Sequence, residues 1–122
     1  MENTPMQVVQ GFGAGMASGT DSWKNFIADD ITFDGPAAQV SGLEAFIELN
    51  EGFMGMVRGN RMKNAVEAGN YVITQVEIDV EMPTGKTITL DMSEWYETEN
   101  GKIKSIKVYY DAEEFRKESV AQ

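Results

Sequence analysis

The sequence predicts an α+β domain in which a curved antiparallel sheet wraps around helices. In the first half apolar residues recur at helical spacing, whereas from Arg61 onward apolar and polar residues alternate with a period of two. Helices gathered on one face of an antiparallel sheet define this class. The 122 residues suit a single domain, residues 1–122, with one core. A strongly curved sheet would leave a cone-shaped pocket between itself and the helices.

The first half predicts helix, helix, strand and helix. Residues 5–18 form the first helix, and its apolar stripe includes Phe12. Three internal glycines, Gly11, Gly13 and Gly15, weaken this helix, because glycine is a poor helix former. They indicate either close packing against another element, which we favour, or a helix kept loose over a pocket.

Three further elements precede the sheet. The segment SWKNFIA predicts a short second helix with Trp23 on its apolar face, and residues 30–34 predict a strand that ends in a turn. Ser41-Gly42-Leu43-Glu44 predicts a capping box that opens a helix reaching about Val57. An apolar cluster near the end of this helix indicates ordinary core or the lining of an adaptable cavity. Its members are Phe53, Met54, Met56 and Met62.

The second half predicts long strands joined by tight turns. Residues 71–82 and 87–98 alternate as strands with one buried and one wet face do, and 65–68 predicts a short strand before them. Asn100-Gly101 predicts a hairpin turn into a last strand over 102–110. Residues 113–120 predict a short helix or a frayed tail.

Composition excludes several functions. The net charge of −10, from 20 acidic and 10 basic residues, repels nucleic acid and anionic membrane surfaces. The chain has no Cys and no His, which excludes thiol nucleophiles, zinc–thiolate sites and every His-dependent catalytic constellation. Asp, Glu, Tyr or Lys must therefore move protons in any catalysed reaction. No carboxylate spacing resembles a Mg²⁺ or Ca²⁺ loop, so we expect no metal and no cofactor.

Membrane and export segments are not expected either. No apolar run approaches the roughly 18 residues that span a bilayer. The first residues, MENTPMQ, have neither the basic nor the apolar region of a signal peptide. We therefore expect a cytoplasmic protein.

Glu94 is the strongest candidate for a functional residue. It lies in the predicted strand 87–98 in phase with Leu90, Met92 and Tyr96, on the apolar face. A carboxylate there costs several kcal/mol unless it is paired, protonated or used. The alternatives are a solvated acid on an open sheet face, or an ion pair for which Arg58, Arg61 and Lys63 are the possible partners.

Three stretches of the chain resemble the NTF2-like superfamily, most closely its SnoaL-like polyketide cyclase and ketosteroid-isomerase-like branch. They are TDSWKNFIADDITFDGP, SGLEAF and ENGKIKSIKVYYD, and the resemblance covers about residues 5–112. It implies a cystatin-like α+β barrel with a cone-shaped pocket for a hydrophobic small molecule. It also implies a homodimer formed through the outer face of the sheet, where Ile73 and Trp95 are expected. The superfamily includes isomerases, cyclases, epoxide hydrolases, dehydratases and non-catalytic binding domains, so the fold alone does not select a function.

The resemblance also implies two catalytic carboxylates. One is an Asp in the strand before the NGK turn. Counting back from Gly101 places this Asp position on Ser93, or on Glu94 if the turn contains one extra residue. The phase of the apolar residues along the strand favours Glu94. The other is an Asp directly before a proline, where this chain has Gly35 and, one residue earlier, Asp34. Asp34 can serve only if the strand end twists or bulges, and is otherwise a turn-forming residue.

The isomerases of this branch also place a Tyr on the first helix, where this chain has Phe12, which cannot donate a side-chain hydrogen bond. That departure argues against ketosteroid isomerisation. Tyr110 is expected to face Glu94 across the hairpin. The expected ligand-binding residues are Phe12, Trp23, Phe53, Met92, Tyr96, Ile106, Val108 and Tyr110.

Two functions therefore remain open. The first is a cofactor-independent enzyme of the isomerase, cyclase or lyase type, in which a carboxylate moves a proton of an apolar carbonyl compound. The second is a non-catalytic module that holds a hydrophobic ligand or supports dimerisation. Substitution of Glu94 separates the two, because it would abolish turnover in the first and leave ligand affinity nearly unchanged in the second.

Overall fold

The fold is taken from a computed structural model, which describes residues 3–119. Three α-helices, one 3₁₀ helix and six strands follow one another in that range. In chain order they are α1 (Pro5–Ala17), the 3₁₀ helix (Asp21–Phe26), β1 (Ile27–Asp34), β2 (Gln39–Ser41), α2 (Leu43–Met54), β3 (Val57–Ala68), β4 (Tyr71–Glu81), β5 (Thr87–Glu99), β6 (Lys102–Tyr109) and α3 (Glu113–Glu118). Val120, the end of the predicted tail helix, lies outside the described residues.

The six strands form one curved, unclosed sheet in the order β2-β1-β6-β5-β4-β3. The buried side chains of the helices and of the inner sheet face form one continuous core. The predicted α+β class is thus confirmed. One detail of the prediction was wrong: β1 pairs with β6 in parallel, so the sheet is mixed rather than purely antiparallel. Strand β3 lies at the far edge of the sheet, and β4, β5 and β6 lead the chain back to the centre, where β6 pairs with β1 in parallel.

Strand β3 is much longer than the predicted strand 65–68, since it begins at Val57. It lies at the edge of the sheet and is exposed along most of its length, so its sequence lacks a regular alternation of buried and wet residues. Its register against β4 also shifts twice, at Arg58 and at Lys63. Each shift inserts one unpaired residue and reverses the faces beyond it, which hides the period of two.

The predicted capping box at Ser41 does not form. Ser41 is the last residue of β2 and pairs with Thr32, so its backbone is committed to the sheet. Gly42 occupies the N-cap of α2 with a φ of 97°, which glycine tolerates, and its N–H donates to the Ile31 carbonyl at 2.7 Å. A capping box does open α1, where Thr4 and Gln7 satisfy each other's backbone amides.

The start of the sheet also differs from the prediction. The second helix ends at Phe26, and Ile27 already begins β1, three residues before the predicted strand. The short strand β2 was not predicted at all. Three residues are too few to establish an alternation pattern, and β2 exists because it pairs with β1.

An aromatic cluster joins the helices to the sheet. Phe12 of α1 lies edge-to-face with Trp23 of the 3₁₀ helix at 6.0 Å and with Tyr96 of β5 at 6.2 Å between ring centroids. Phe46 of α2 completes it, 6.4 Å from both Phe12 and Trp23. All four side chains are buried. This aromatic cluster fills part of the space between the helices and the inner face of the sheet.

The glycines of α1 permit close packing, as favoured from the sequence. A Cβ on Gly11 would collide with the Phe26 ring. A Cβ on Gly15 would lie 2.6 Å from the backbone nitrogen of Trp23, closer than real contacts allow. Gly13, by contrast, faces open space. Two of the three glycines therefore serve the contact between α1 and the 3₁₀ helix.

Within residues 3–119, no helix combines the length and the apolar character that crossing a membrane requires.

Candidate active site

The β5–β6 hairpin sets the position of the site. Asn100 and Gly101 both have positive φ, 54° and 75°, which matches a two-residue turn of the favoured primed kind. Glu99 pairs with Lys102 directly, so the turn contains no slack. The extra residue is Lys104 in β6, because Thr98 pairs with Ile103 whereas Glu97 pairs with Ser105.

This bulge decides which residue lies opposite Glu94. With the bulge, Glu94 pairs with Val108 on the inner face of the sheet. Without it, the pairing would continue to Lys107, and the exposed face of β6 would turn inward. The spacing of Ile103 and Ile106, both buried and three residues apart, is the sequence signal that indicates such a bulge.

Glu94 lies on the apolar face, among buried neighbours. Met92 and Tyr96 flank it along β5, and Thr74 and Val108 lie beside it on β4 and β6. These four residues are buried, whereas Glu94 itself keeps partial contact with solvent. Ser93 points to the opposite face, where it pairs with Tyr109 and accepts a bond from the Trp95 indole N–H at 3.2 Å.

One hydroxyl group binds the Glu94 carboxyl group: Thr74 Oγ1 donates to Glu94 Oε1 at 2.9 Å. Desolvation raises the pKa of Glu94 above its ordinary value, and the bond from Thr74 and the nearby Tyr96 hydroxyl oppose that rise without cancelling it. Burial and the nearby Glu94 charge raise the pKa of Tyr96 in turn, so the Tyr96 hydroxyl stays protonated.

No basic residue in the part of the chain that the structure describes pairs with Glu94. The three cations considered as its partners all lie along β3 and bind carboxylates of β4 instead: Arg58 binds Glu81, Arg61 binds Asp79 and Glu77, and Lys63 binds Glu77. The Arg61–Asp79 contact is bidentate, at 2.8 and 2.9 Å, and it lowers the pKa of Asp79. The ion-pair explanation of Glu94 is therefore wrong.

Asp34 does not join Glu94. It is the last residue of β1, pairs in regular register with Lys107, and is exposed. Its carboxylate lies 3.8 Å from Lys107 Nζ on the outer side of the sheet, while the adjacent Phe33 packs against the core. The register is regular from Thr32 to Asp34, so no bulge turns Asp34 inward, and the two predicted carboxylates lie on opposite faces.

The predicted ligand-binding residues divide into three groups. Phe12, Trp23 and Tyr96 belong to the aromatic cluster. Met92, Ile106 and Val108 are buried around Glu94, and Phe53 is half-buried at the end of α2. Tyr110 lies beyond β6 and packs edge-to-face on Phe115 of α3 at 6.2 Å. The residue directly opposite Glu94 is Val108 rather than Tyr110.

Thr74 is a site residue that the sequence did not single out. The alternation along β4 predicts that Thr74 faces inward. A threonine among aliphatic inward-facing residues was the sequence signal that could have identified it, because a buried hydroxyl needs a hydrogen-bond partner. Its role depends on the register between β4 and β5, which only the folded sheet provides.

Two surface grooves occur away from Glu94. One, of about 630 Å³, borders the start of α2, and the other, of about 400 Å³, lies beside the β3–β4 and β5–β6 turns. Neither is lined by Glu94 or by a predicted ligand-binding residue. Among the described residues, no three His, Cys, Asp or Glu side chains converge as metal ligands would.

Comparison with known proteins identifies the family of this chain. The family model of the SnoaL-like domain matches residues 8–106. No curated protein matches the chain. An NTF2-like protein of unknown function from Cytophaga hutchinsonii is 24% identical, with 95% of this chain and 97% of that chain covered and a TM-score of 0.79.

Two other solved structures share the fold. A candidate SnoaL-like polyketide cyclase from Mesorhizobium loti is 24% identical over 88% of this chain and all of that chain, with a TM-score of 0.75. TerC, crystallised with polyporic acid, is 17% identical over 94% and 97% of the two chains, with a TM-score of 0.78. These likenesses concern the fold, whereas the match over residues 8–106 is to the family itself. The chain is therefore a member of the SnoaL-like domain family, within the NTF2-like superfamily.

Proposed function

We propose that the protein is a cofactor-independent enzyme in which Glu94 transfers a proton to or from an apolar carbonyl compound. One observation carries this proposal: the Glu94 carboxyl group lies among apolar side chains and has no cationic partner on residues 3–119. The buried Thr74 holds it by a hydrogen bond, and it keeps partial access to solvent. A structural carboxylate in such a place would be expected to have a cationic partner. A raised pKa is the property that a general acid or base near neutral pH requires.

The chemistry would follow from the two states of Glu94. As a carboxylate it takes the proton from the carbon next to the substrate carbonyl, and as a carboxylic acid it returns a proton to another carbon or to oxygen. Thr74 fixes the orientation of the carboxyl group through its 2.9 Å bond. Tyr96, whose raised pKa keeps its hydroxyl protonated, supports the charged state of Glu94. The cyclase ascribed to the Mesorhizobium loti relative is consistent with chemistry of this class.

The pH dependence of Glu94 provides a direct prediction. We expect the side-chain carboxyl of Glu94 to titrate above the ordinary Glu value of about 4.3, in carbon-13 NMR spectra of labelled protein. If Glu94 titrates at or below the ordinary value, the proposed role as an acid is incorrect.

The same shift predicts an effect on stability. The pKa of Glu94 is higher in the folded protein than in the unfolded chain. The protonated side chain therefore contributes stability below the unfolded pKa, and this contribution is lost as the pH rises through the folded pKa. Glu94→Gln should therefore raise the melting temperature relative to the parent near neutral pH, and this advantage should shrink toward about pH 4.

A binding and dimerisation module is the second candidate, and the outer face of the sheet favours it. Five apolar side chains lie there on four adjacent strands, and Trp95 is 40% exposed and Tyr109 51% exposed. We call them the outer patch: Val66, Tyr71, Ile73, Trp95 and Tyr109. Such a patch on a soluble chain indicates an interaction surface, and a second copy of the chain is the proposed occupant.

Dimerisation predicts a specific loss. Trp95 lies at the centre of the outer patch, with its ring edge-to-face with Tyr71 at 6.5 Å. We expect Trp95→Glu to convert a dimer to a monomer in sedimentation-velocity experiments, because a charge would be buried at the interface centre. Thr87→Glu is the control, since it adds the same charge at the far end of the same strand. A parent protein that is monomeric at all concentrations tested would refute the dimer.

A further inference from the structure

Thr74 is the one polar side chain in an aliphatic row on the inner face of β4. Its surface is 2% exposed. A buried hydroxyl group has lost its contact with water, so it needs a hydrogen-bond partner inside the protein. The other inward-facing residues of β4 provide none, since they are Val72, Val76, Ile78 and Val80. Thr74 therefore belongs in this row only if a neighbouring strand provides the partner.

Glu94 is that partner. Thr74 Oγ1 donates to Glu94 Oε1 at 2.9 Å, and the two residues are directly paired across β4 and β5. The register between these strands is regular from Tyr71 to Glu81, and both strands lie inside the sheet rather than at its edges. Side chains that are directly opposed in this way are close enough to interact. The bond is thus built into the strand pairing and does not depend on a loop.

The threonine side chain holds its hydroxyl group in place. It is branched at Cβ, so rotation about χ1 is restricted. Val72 and Val76, its inward-facing neighbours along β4, are buried and limit its movement further. The donor therefore approaches Glu94 from one fixed direction.

The direction of the bond distinguishes the two carboxyl oxygens. An ionised carboxylate only accepts hydrogen bonds, so the hydroxyl proton of Thr74 points to Oε1 of Glu94. A proton on Oε1 would weaken this acceptor and leave a buried donor without a full bond, which costs free energy. A proton on Oε2 leaves the bond intact. Protonation of Glu94 is therefore directed to Oε2.

No charged side chain on residues 3–119 contributes to the pKa of Glu94. Its inward neighbours on β5 are Met92 and Tyr96, and Val108 lies opposite on β6. Tyr96 is titratable, but burial keeps its hydroxyl protonated. Desolvation raises the pKa of Glu94, and the bond from Thr74 is the larger of the two influences that lower it. Thr74 is thus the main opponent of the effect of burial.

We propose that Thr74 is a positioning residue, which binds Oε1 of Glu94 and leaves Oε2 as the oxygen that takes and returns the substrate proton. The role of Oε2 toward a substrate rests on the proposed function, whereas the orientation of the carboxyl group does not. In the reaction, the C–H bond next to the substrate carbonyl breaks, its proton binds Oε2, and its electron pair moves onto the carbonyl oxygen. Oε2 then returns the proton to carbon or oxygen, and Thr74 keeps its own proton throughout.

Two substitutions of Thr74 separate its hydroxyl group from its volume. Thr74→Val removes the hydroxyl and nearly keeps the shape, whereas Thr74→Ser keeps the hydroxyl. In carbon-13 NMR titrations, Thr74→Val should raise the pKa of Glu94 above that of the parent, and Thr74→Ser should leave it nearly unchanged. Thr98→Val is the matched control, because Thr98 is the other buried threonine on residues 3–119 and its hydroxyl donates to the Asn70 carbonyl. It should leave the pKa of Glu94 unchanged.

Glu94→Gln tests which end of the side chain faces Thr74. Its amide group has distinct oxygen and nitrogen ends, and the Thr74 hydroxyl should select the oxygen end because it donates. The new amide protons should therefore show weak nuclear Overhauser effects to the side chain at position 74. Adding Thr74→Val should strengthen these effects, since valine cannot select an end. Equal intensities with and without Thr74→Val would contradict the assignment of Oε1 to Thr74.

Catalysis provides an independent measurement. In exchange of the hydrogens next to a ketone carbonyl, Thr74→Val should lower kcat by about tenfold to a hundredfold with KM little changed. The pH at which the rate rises should move upward with the pKa of Glu94, and Thr74→Ser should retain the parent values. A structural role alone would change stability without moving this pH profile.

The outcomes separate this proposal from the proposed function. If the pKa of Glu94 is the same in Thr74→Val and Thr98→Val, Thr74 is not a positioning residue, whether or not the parent is an enzyme. If the pKa shifts as expected but the parent catalyses no exchange, the orientation of Glu94 is supported and the proposed function alone fails. Should Thr74→Val not fold, as judged by circular dichroism, Thr74→Ala and Thr74→Ser provide the same comparison.

Discussion

Glu94→Gln is expected to abolish exchange of the hydrogens next to the carbonyl group of neutral alicyclic and aromatic ketones. Loss of a positioned general acid or base costs about 10²–10⁴-fold in rate. The amide keeps the shape of the side chain and can still accept the bond from Thr74 Oγ1, so the fold and the ligand contacts should persist. Incorporation of deuterium from D₂O, followed by proton NMR, detects this step whatever product the full reaction yields.

The control for that substitution lies three residues away. Glu97→Gln makes the same chemical change on the same strand, but Glu97 faces outward and accepts a bond from Ser105 at 3.1 Å. It should leave exchange unchanged. A protein whose exchange is no faster than that of buffer, or is equal in the two variants, would be a binding module rather than an enzyme. Ligand affinity would then be nearly unaffected by Glu94→Gln.

Two glycines of α1 are expected to respond to alanine in opposite directions. Gly15→Ala should destabilise the protein by about 1–3 kcal/mol, the usual cost of overpacking. A Cβ at this position would lie 2.6 Å from the Trp23 nitrogen and 2.8 Å from its Cα, and backbone atoms cannot move aside as a flexible side chain can. The contact also holds Trp23 in the aromatic cluster, so the destabilisation should be accompanied by a change in tryptophan fluorescence.

Gly13→Ala is the matched control. It lies in the same helix, two residues away, where an added Cβ meets nothing within 4 Å. Alanine is favoured over glycine in a helix interior by about 1 kcal/mol, so this variant should be more stable than the parent. Urea unfolding of both variants provides the measurement. If both substitutions stabilise the protein, α1 is held more loosely than the described contacts indicate.

The inner-face residues of β4 and β5 could be predicted because one face of each strand is buried. Burial of one face imposes an alternation of apolar and polar residues along each strand. The positions of Thr74 and Glu94 in that alternation predict that both side chains face inward. The tight turn at Asn100-Gly101 could also be predicted, because both residues tolerate positive φ. The class of the fold and the leading candidate residue followed from these features.

Other features depend on contacts between distant parts of the chain. The length of β3 and the commitment of Ser41 to β2 arise from strand pairing that no local pattern records. Asp34 also depends on the folded sheet, because its regular register against Lys107 keeps it facing outward, whereas a bulge would have turned it inward. A single unpaired residue reverses every side chain beyond it, so such positions could not be assigned from periodicity.

The sequence by itself determined that this protein is an α+β domain with a carboxylate on the apolar face of its long hairpin. Hydrophobic alternation and turn chemistry are local properties, and they were sufficient for that. The tertiary structure decided that Glu94 has a hydroxyl partner and, within residues 3–119, no cation, and that Asp34 lies on the far side of the sheet. These features depend on which strands lie side by side, and only the folded chain defines that.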